Sequence, residues 1–233
     1  MDYLVRLEQG RSRHPSSQVL AALARALRLS SSERDALYVA GGMAPVSPDV
    51  VPGHLSPGLQ RMLDRLQDTP VAVFTAAWDL LAANALWDAL FGDHTLHTGR
   101  ERNLAWRHFT DLPSSVRHDA GTDHYARALV TDLRAAAGRY PKDAALAQLV
   151  ADLRTTSTRF AAVWDSAPAE AHVAETKTVL SPAAGPVRVD CDVLTAPDAD
   201  LRLVVYTARP GSPDETALAL LRVSGLEGAG HTG

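Results

Sequence analysis

The chain is 233 residues long, 46% hydrophobic, and carries a formal net charge of −4. That length allows one medium domain or a small module joined to a larger one, and that apolar content excludes wholesale disorder. A single cysteine, Cys191, excludes an internal disulfide and a multi-cysteine zinc site.

No apolar run approaches the roughly 18 residues of a membrane span, and no signal peptide precedes the first helical pattern, so a cytoplasmic protein with no membrane partner is expected. Lysine occurs only at Lys142 and Lys177 while arginine and alanine abound, as in proteins from high-GC bacterial genomes. Through Ala44 six arginines face four acids, and the acidic excess lies in the remainder. A slightly basic head on an acidic body fits a DNA-contacting module attached to a domain that does not touch DNA.

Residues 2–9 read as a short amphipathic helix, with Leu4 and Leu7 on one face and Tyr3, Arg6 and Gln9 on another. Gly10 suits its C-cap, and Arg11 and Arg13 follow in a basic run. A second helix is expected from Ser17 to Arg28, and a third from the capping box Ser30-x-x-Glu33 to Gly41-Gly42. Residues 43–58, with prolines at 45, 48, 52 and 57, read as a linker.

Beyond the linker, a strand is expected to begin at Val71 and end near Trp78-Asp79, followed by a second over Leu80–Ala83 that turns at Asn84 into a helix through Trp87, Leu90 and Phe91. Two longer helices are expected, Thr122–Ala137 with Tyr125, Leu129 and Leu133 on one face, and Ala144–Trp164. Three strands follow, His172–Leu180, Val187–Leu194 and Leu201–Ala208, and a last helix opens at Ser212-Pro213-Asp214-Glu215. Early and late strands with helices between them predict an α+β fold with an antiparallel sheet and flanking helices. The expected organisation is a small all-α module (1–42), the Pro-rich linker (43–58), a larger domain (59–225) and a flexible tail (226–233).

Two resemblances join these pieces. The segment L-x-x-L-E-x-G-R, from Leu4 to Arg11, resembles the recognition helix of XRE-type helix-turn-helix repressors. The segments Thr69–Val73, Trp78–Asn84, Arg102-Asn103-Leu104, Leu153–Trp164 and Leu203–Ser212 resemble, in the same order, the PAS-like ligand-binding domain of MmyB-like transcription regulators. That family has His-Pro where this chain has Ser181-Pro182, and a basic stretch where this chain has Asp165–Glu170.

The resemblance implies a bacterial transcription regulator with a partial helix-turn-helix and a PAS-like domain holding an apolar or fatty-acyl-like effector. In the family two helices precede the recognition helix. Their absence from this sequence suggests a misassigned start or a decayed gene, and predicts weak DNA binding.

The residues expected to meet DNA are Tyr3, Arg6, Gln9, Arg11 and Arg13. Arginine and glutamine pair bidentately with guanine and adenine edges, and a loop arginine can hold a phosphate. The competing reading is the solvated polar face of a leftover helix. For the effector, the expected residues are Trp78, Asn84, Trp87, Phe91, Asn103, Phe160, Trp164 and Tyr206, since pockets are mostly apolar with a few placed polar groups. Trp78 and Trp164 are the favoured walls, and Asn84 and Asn103 the favoured anchors. Core packing, or helix capping by the asparagines, is the competing reading.

Nothing points to catalysis or a cofactor. The nine histidines form no HExxH, and no Gly-x-Ser-x-Gly elbow or phosphate-binding loop is present. His118, Asp119 and His124 fit no standard metal spacing and read as a solvated loop. Cys191 alternates with Asp190 and Asp192 and reads as an inward core thiol whose pKa the flanking acids raise. The expected mechanism is a population shift in a homodimer whose effector domains bias its DNA-binding heads. The alternative is a ligand-binding or dimerising module that has lost DNA binding.

Overall fold

The structure is a computed structural model, and it describes residues 15–27, 29, 31–43, 50–110, 112–119, 121–166, 172, 174–196 and 199–229. The expected recognition helix, with Tyr3, Arg6, Gln9, Arg11 and Arg13, lies outside the described residues, as does Ser30 of the capping box. The chain divides into two units, Met1–Pro48 with Pro197–Ala199, and Asp49–Ala196 with Asp200–Gly233.

In the first unit, α1 (Ser17–Ala26) and α2 (Ser31–Ala40) follow their apolar periodicity. Leu20 and Ala24 of α1 and Tyr38 of α2 are buried, and the Tyr38 hydroxyl donates to the Ser17 carbonyl at 3.2 Å. Leu27, inside the helix expected from Ser17 to Arg28, lies exposed just beyond the end of α1. The Gly41-Gly42 pair ends α2 as a Schellman motif. Gly42 adopts φ +75°, and the N–H groups of Gly42 and Met43 donate to the carbonyls of Val39 and Tyr38.

The second unit is α+β. It opens with α3 (Pro57–Arg65), which starts inside the expected linker: Ser56 Oγ accepts the Leu59 N–H at 3.2 Å, and Pro57 sits where a missing N–H costs nothing. The sheet strands are β1 (Val71–Phe74), β2 (Leu80–Ala83), β3 (Val116–His118), β4 (Glu175–Ser181), β5 (Gly185–Ala196) and β6 (Leu201–Thr207). They form one antiparallel sheet in the order β2-β1-β6-β5-β4-β3. β1 lies between β2 and β6 and is buried along its whole length.

β1 ends at Phe74, short of the expected Trp78-Asp79. There Thr75 Oγ1 accepts the N–H groups of Ala77 and Asp79 and folds the connection into a tight loop. Trp78 in that loop has φ +66° and is fully buried.

The helices are α4 (Ala85–Phe91), α5 (Leu104–Phe109), α6 (Asp123–Arg139), α7 (Ala144–Thr156), α8 (Thr158–Ser166) and α9 (Pro213–Ala229). Tyr125, Leu129, Leu133 and Ala136 form the buried stripe of α6. The expected single helix Ala144–Trp164 is two helices. Ser157 takes an extended conformation, φ −123° and ψ 108°, and its Oγ accepts the Phe160 N–H to cap α8. The last helix runs past the expected domain end at 225. At its start Glu215 accepts from the Gly211 N–H at 2.7 Å while Ser212 Oγ accepts from Glu215 N–H, a capping arrangement one residue wider than the expected box.

β3 and α5 have no counterpart among the expected elements. Both are short and carry mixed polarity, so neither shows a period. No helix among the described residues is long and apolar enough to cross a membrane.

Candidate functional site

Asn84 is where the site begins. Its Oδ1 accepts the N–H groups of Trp87, at 2.9 Å, and Val71, at 3.1 Å. Its Nδ2 donates to the carbonyls of Thr69 and Leu66. One side chain thus caps α4 and ties its start to β1. From that start Trp87 and Phe91, four residues apart, project from one face of α4. Their rings lie 4.3 Å apart, and Tyr206 of β6 meets them at 5.3 and 5.2 Å. Phe74 of β1 stands edge-on to Trp87 at 6.2 Å. Asn84→Ala would orphan four backbone groups, at about 1 kcal/mol or more each where buried. The expected loss is about 3 kcal/mol, a fall in melting temperature of roughly 6–12 °C by thermal denaturation.

These aromatic rings wall a cleft between the sheet and the helices, with about 880 Å³ of empty space including that open to solvent. Leu80, Leu104 and Val116 extend the apolar wall. The mouth carries Glu101 and Ser114, which are exposed, and the half-buried His97, with Arg102 and Arg107 beside them. Arg102 donates to the Leu80 carbonyl at 3.0 Å, and Arg107 lies 2.8 Å from His97 Nε2.

The floor is polar. Strand alternation turns Lys177, Val179 and Ser181 of β4 to the same buried side, and the register places His118 of β3 opposite Lys177. The Lys177 ammonium lies 4.1 Å above the Tyr125 ring and 3.9 Å from Glu175 Oε2. Glu175 Oε1 holds His118 Nδ1 at 2.5 Å. His108 of α5 packs edge-on to Tyr125 at 4.9 Å, and its Nε2 is buried with no hydrogen-bond partner.

Burial, followed by the positive charges of Arg159, His118 and Lys177, lowers the His108 pKa to about 3. Burial also lowers His118, against the pull of its Glu175 hydrogen bond. Tyr125 and Tyr206 are pushed well above the ordinary phenol value by burial. Cys191 is an inward core thiol, and burial, more than neighbouring charge, raises its pKa.

Of the residues expected to meet an effector, Trp87, Phe91 and Tyr206 line the cleft. Asn103 caps α5 instead: its Oδ1 accepts the Trp106 N–H, and its Nδ2 donates to Ala77 O and Asp79 Oδ1. Trp78 is sealed in the β1–β2 loop against Phe74. Phe160 is fully buried between Phe109 and Trp164, and Trp164 carries Arg134 over its outer face. Asn84 borders a second cleft between α3 and α9, with all four of its hydrogen bonds already made.

His118 is not in a solvated loop; it is a strand residue whose side chain is 6% exposed. Sequence reasoning passed over Lys177, Glu175, His118, His108 and Tyr125 as a group. The one signal for it was phase: Lys177 shares the parity of Val179 in β4. Among the described residues, the acidic and histidine side chains close enough to share a cation are Asp88, Asp93 and His94. His94 Nδ1 already bonds Asp88 at 2.7 Å.

The MmyB-like transcription regulator ligand binding domain matches residues 55–221, more than half of the chain. Comparison with curated proteins finds no match.

Proposed function

The chain belongs to the family of MmyB-like transcription regulator ligand-binding domains, and from that membership we propose that it is a bacterial DNA-binding regulator controlled by a small apolar, fatty-acyl-like effector held in the aromatic cleft. The family is one of ligand-sensing regulators, not of enzymes. The observation that carries the effector reading is the wall of Phe74, Leu80, Trp87 and Tyr206, buried side chains, with the partly buried Phe91, that border an open space. Apolar contact supplies most of the affinity, at about 25 cal/mol per Å² removed from water. The PAS-like description of the domain is supported by the strand order β2-β1-β6-β5-β4, in which the first hairpin joins the last three strands across inserted helices.

The DNA half of the reading rests on Arg6, Gln9, Arg11 and Arg13. A homodimer is the assembly proposed, because one helix reads only one half-site. The effector then favours one arrangement of the dimer over another.

Native mass spectrometry and a tryptophan-fluorescence titration with medium and long acyl chains test the effector. Acyl chains are expected to bind and to change Trp87 emission, with the change absent in Trp87→Phe. Emission and melting temperature that ignore every chain length would overturn the reading. Fluorescence anisotropy on the gene's own promoter tests the DNA half, which sequence-selective binding that Arg6→Ala weakens would support. No selective binding in the intact chain would favour the module that has lost DNA contact.

A further inference from the structure

The ammonium of Lys177 has no oxygen of the described residues within hydrogen-bonding distance, Glu175 Oε2 lying 3.9 Å away. Its side chain is 4% exposed and borders the empty space. An ammonium has three protons to donate, and a buried one needs acceptors for them. The surroundings offer a ring face, the soft sulfur of Cys191, and a carboxylate oxygen at 3.9 Å, which is beyond hydrogen-bonding distance. Among the described residues, an oxygen acceptor is missing.

What is not missing is negative charge. Glu175 already balances Lys177, and its other oxygen is held by His118. A second carboxylate beside them would leave one ammonium between two buried acids, with one buried charge uncompensated and strongly disfavoured. His108, buried and neutral on the same floor, adds no cation to offset it.

We propose that the effector carries an uncharged carbonyl or hydroxyl oxygen, placed deep in the cleft, which accepts a hydrogen bond from Lys177. This deepens the apolar-effector reading and rests on it. The ionised end of an acyl chain then lies at the open mouth, in water and beside Arg102 and Arg107. The cleft is thereby selective for hydroxy- or oxo-acyl molecules over plain chains of equal length.

Isothermal titration of the full chain with dodecanoate, and with dodecanoates bearing one hydroxyl or oxo group at successive carbons, tests this. At least one positional isomer should bind about tenfold tighter than dodecanoate, the advantage of one hydrogen bond to a charged donor. Lys177→Met should bring that isomer down to the affinity the variant has for dodecanoate, and Lys177→Gln, which keeps a donor, should retain part of the preference. Plain dodecanoate binding as tightly as every isomer would overturn the proposal and leave the apolar reading standing. So would an advantage that survives in Lys177→Met, or Lys177→Met losing dodecanoate altogether, which would make the lysine a carboxylate receiver. Binding of none of these acids by the unmodified chain would overturn both readings.

Discussion

Phe160→Ala is expected to cost about 3–5 kcal/mol of stability while leaving the walls of the cleft in place. Phe160 is fully buried, edge-on to Phe109 at 5.0 Å and stacked on Trp164 at 5.4 Å. It sits in the first turn of α8, where the Ser157 cap fixes its backbone. The ring therefore cannot move far, and close-packed neighbours relax only partly into the void its removal leaves. Such a loss is about a fifth or more of the stability of a typical domain. In a denaturant titration the midpoint should fall with little change in slope. Affinity for acyl chains should change little, because Phe160 is not among the residues bordering the cleft. A loss below about 1 kcal/mol accompanied by lost ligand binding would return Phe160 to the effector site, where its place in the sequence had put it.

Local signals along the chain were read correctly where they were decided locally. The glycine pair closing α2, the Leu80–Ala83 strand and its turn at Asn84, and the Tyr125–Leu129–Leu133 stripe all arise from neighbours within a few residues. The asparagines show where that ends. A side chain that can either cap a helix or orient a ligand has no local preference between them. Partners as distant as Ala77 for Asn103 and Leu66 for Asn84 decide it. Aromatic residues pose the same question, and Trp78 was lost to the core by a loop conformation that the sequence does not advertise.

The polar floor was harder still. Glu175 and His118 are 57 positions apart and meet only because β3 pairs with β4. The stretch Glu175–Ser181 reads as a polar strand until one asks which residues share the parity of Val179. Half of the cleft's chemistry was therefore visible as pattern, and half arose from pairing.

Stability is expected to fall as pH drops from about 6.5, and His108 is the main reason. In the folded chain its pKa is lowered to about 3, first by burial and then by Arg159, His118 and Lys177. In the unfolded chain it titrates near 6.5. Between those values the unfolded chain takes up a proton that the folded chain refuses, so acid favours unfolding. The contribution is whole above about pH 6.5 and is progressively lost toward pH 3. At about 1.4 kcal/mol per pH step, the loss between pH 6.5 and 4.5 is on the order of 2–3 kcal/mol. His118 acts in the same direction, because burial lowers it too.

The paired carboxylates titrate in a different window. Burial would raise Asp200, but Tyr140, Arg202 and Arg139 outweigh it and hold the carboxyl below its ordinary range. Asp132 is likewise held down against burial by His172 and Arg202. Their contribution is present above about pH 4 and is lost only as pH falls below it. Urea titrations at pH 7, 6, 5 and 4.5 therefore stay above the window of Asp132 and Asp200. His108→Phe keeps an aromatic ring against Tyr125 and removes one titrating group, so its stability should fall less steeply over that range, the remaining slope coming from His118 and His97. Below pH 4 both proteins should lose stability together, through Asp132 and Asp200. Parallel slopes for the two proteins between pH 6.5 and 4.5 would show that His108 is hydrated in the folded chain, and with it that the floor of the cleft is wet.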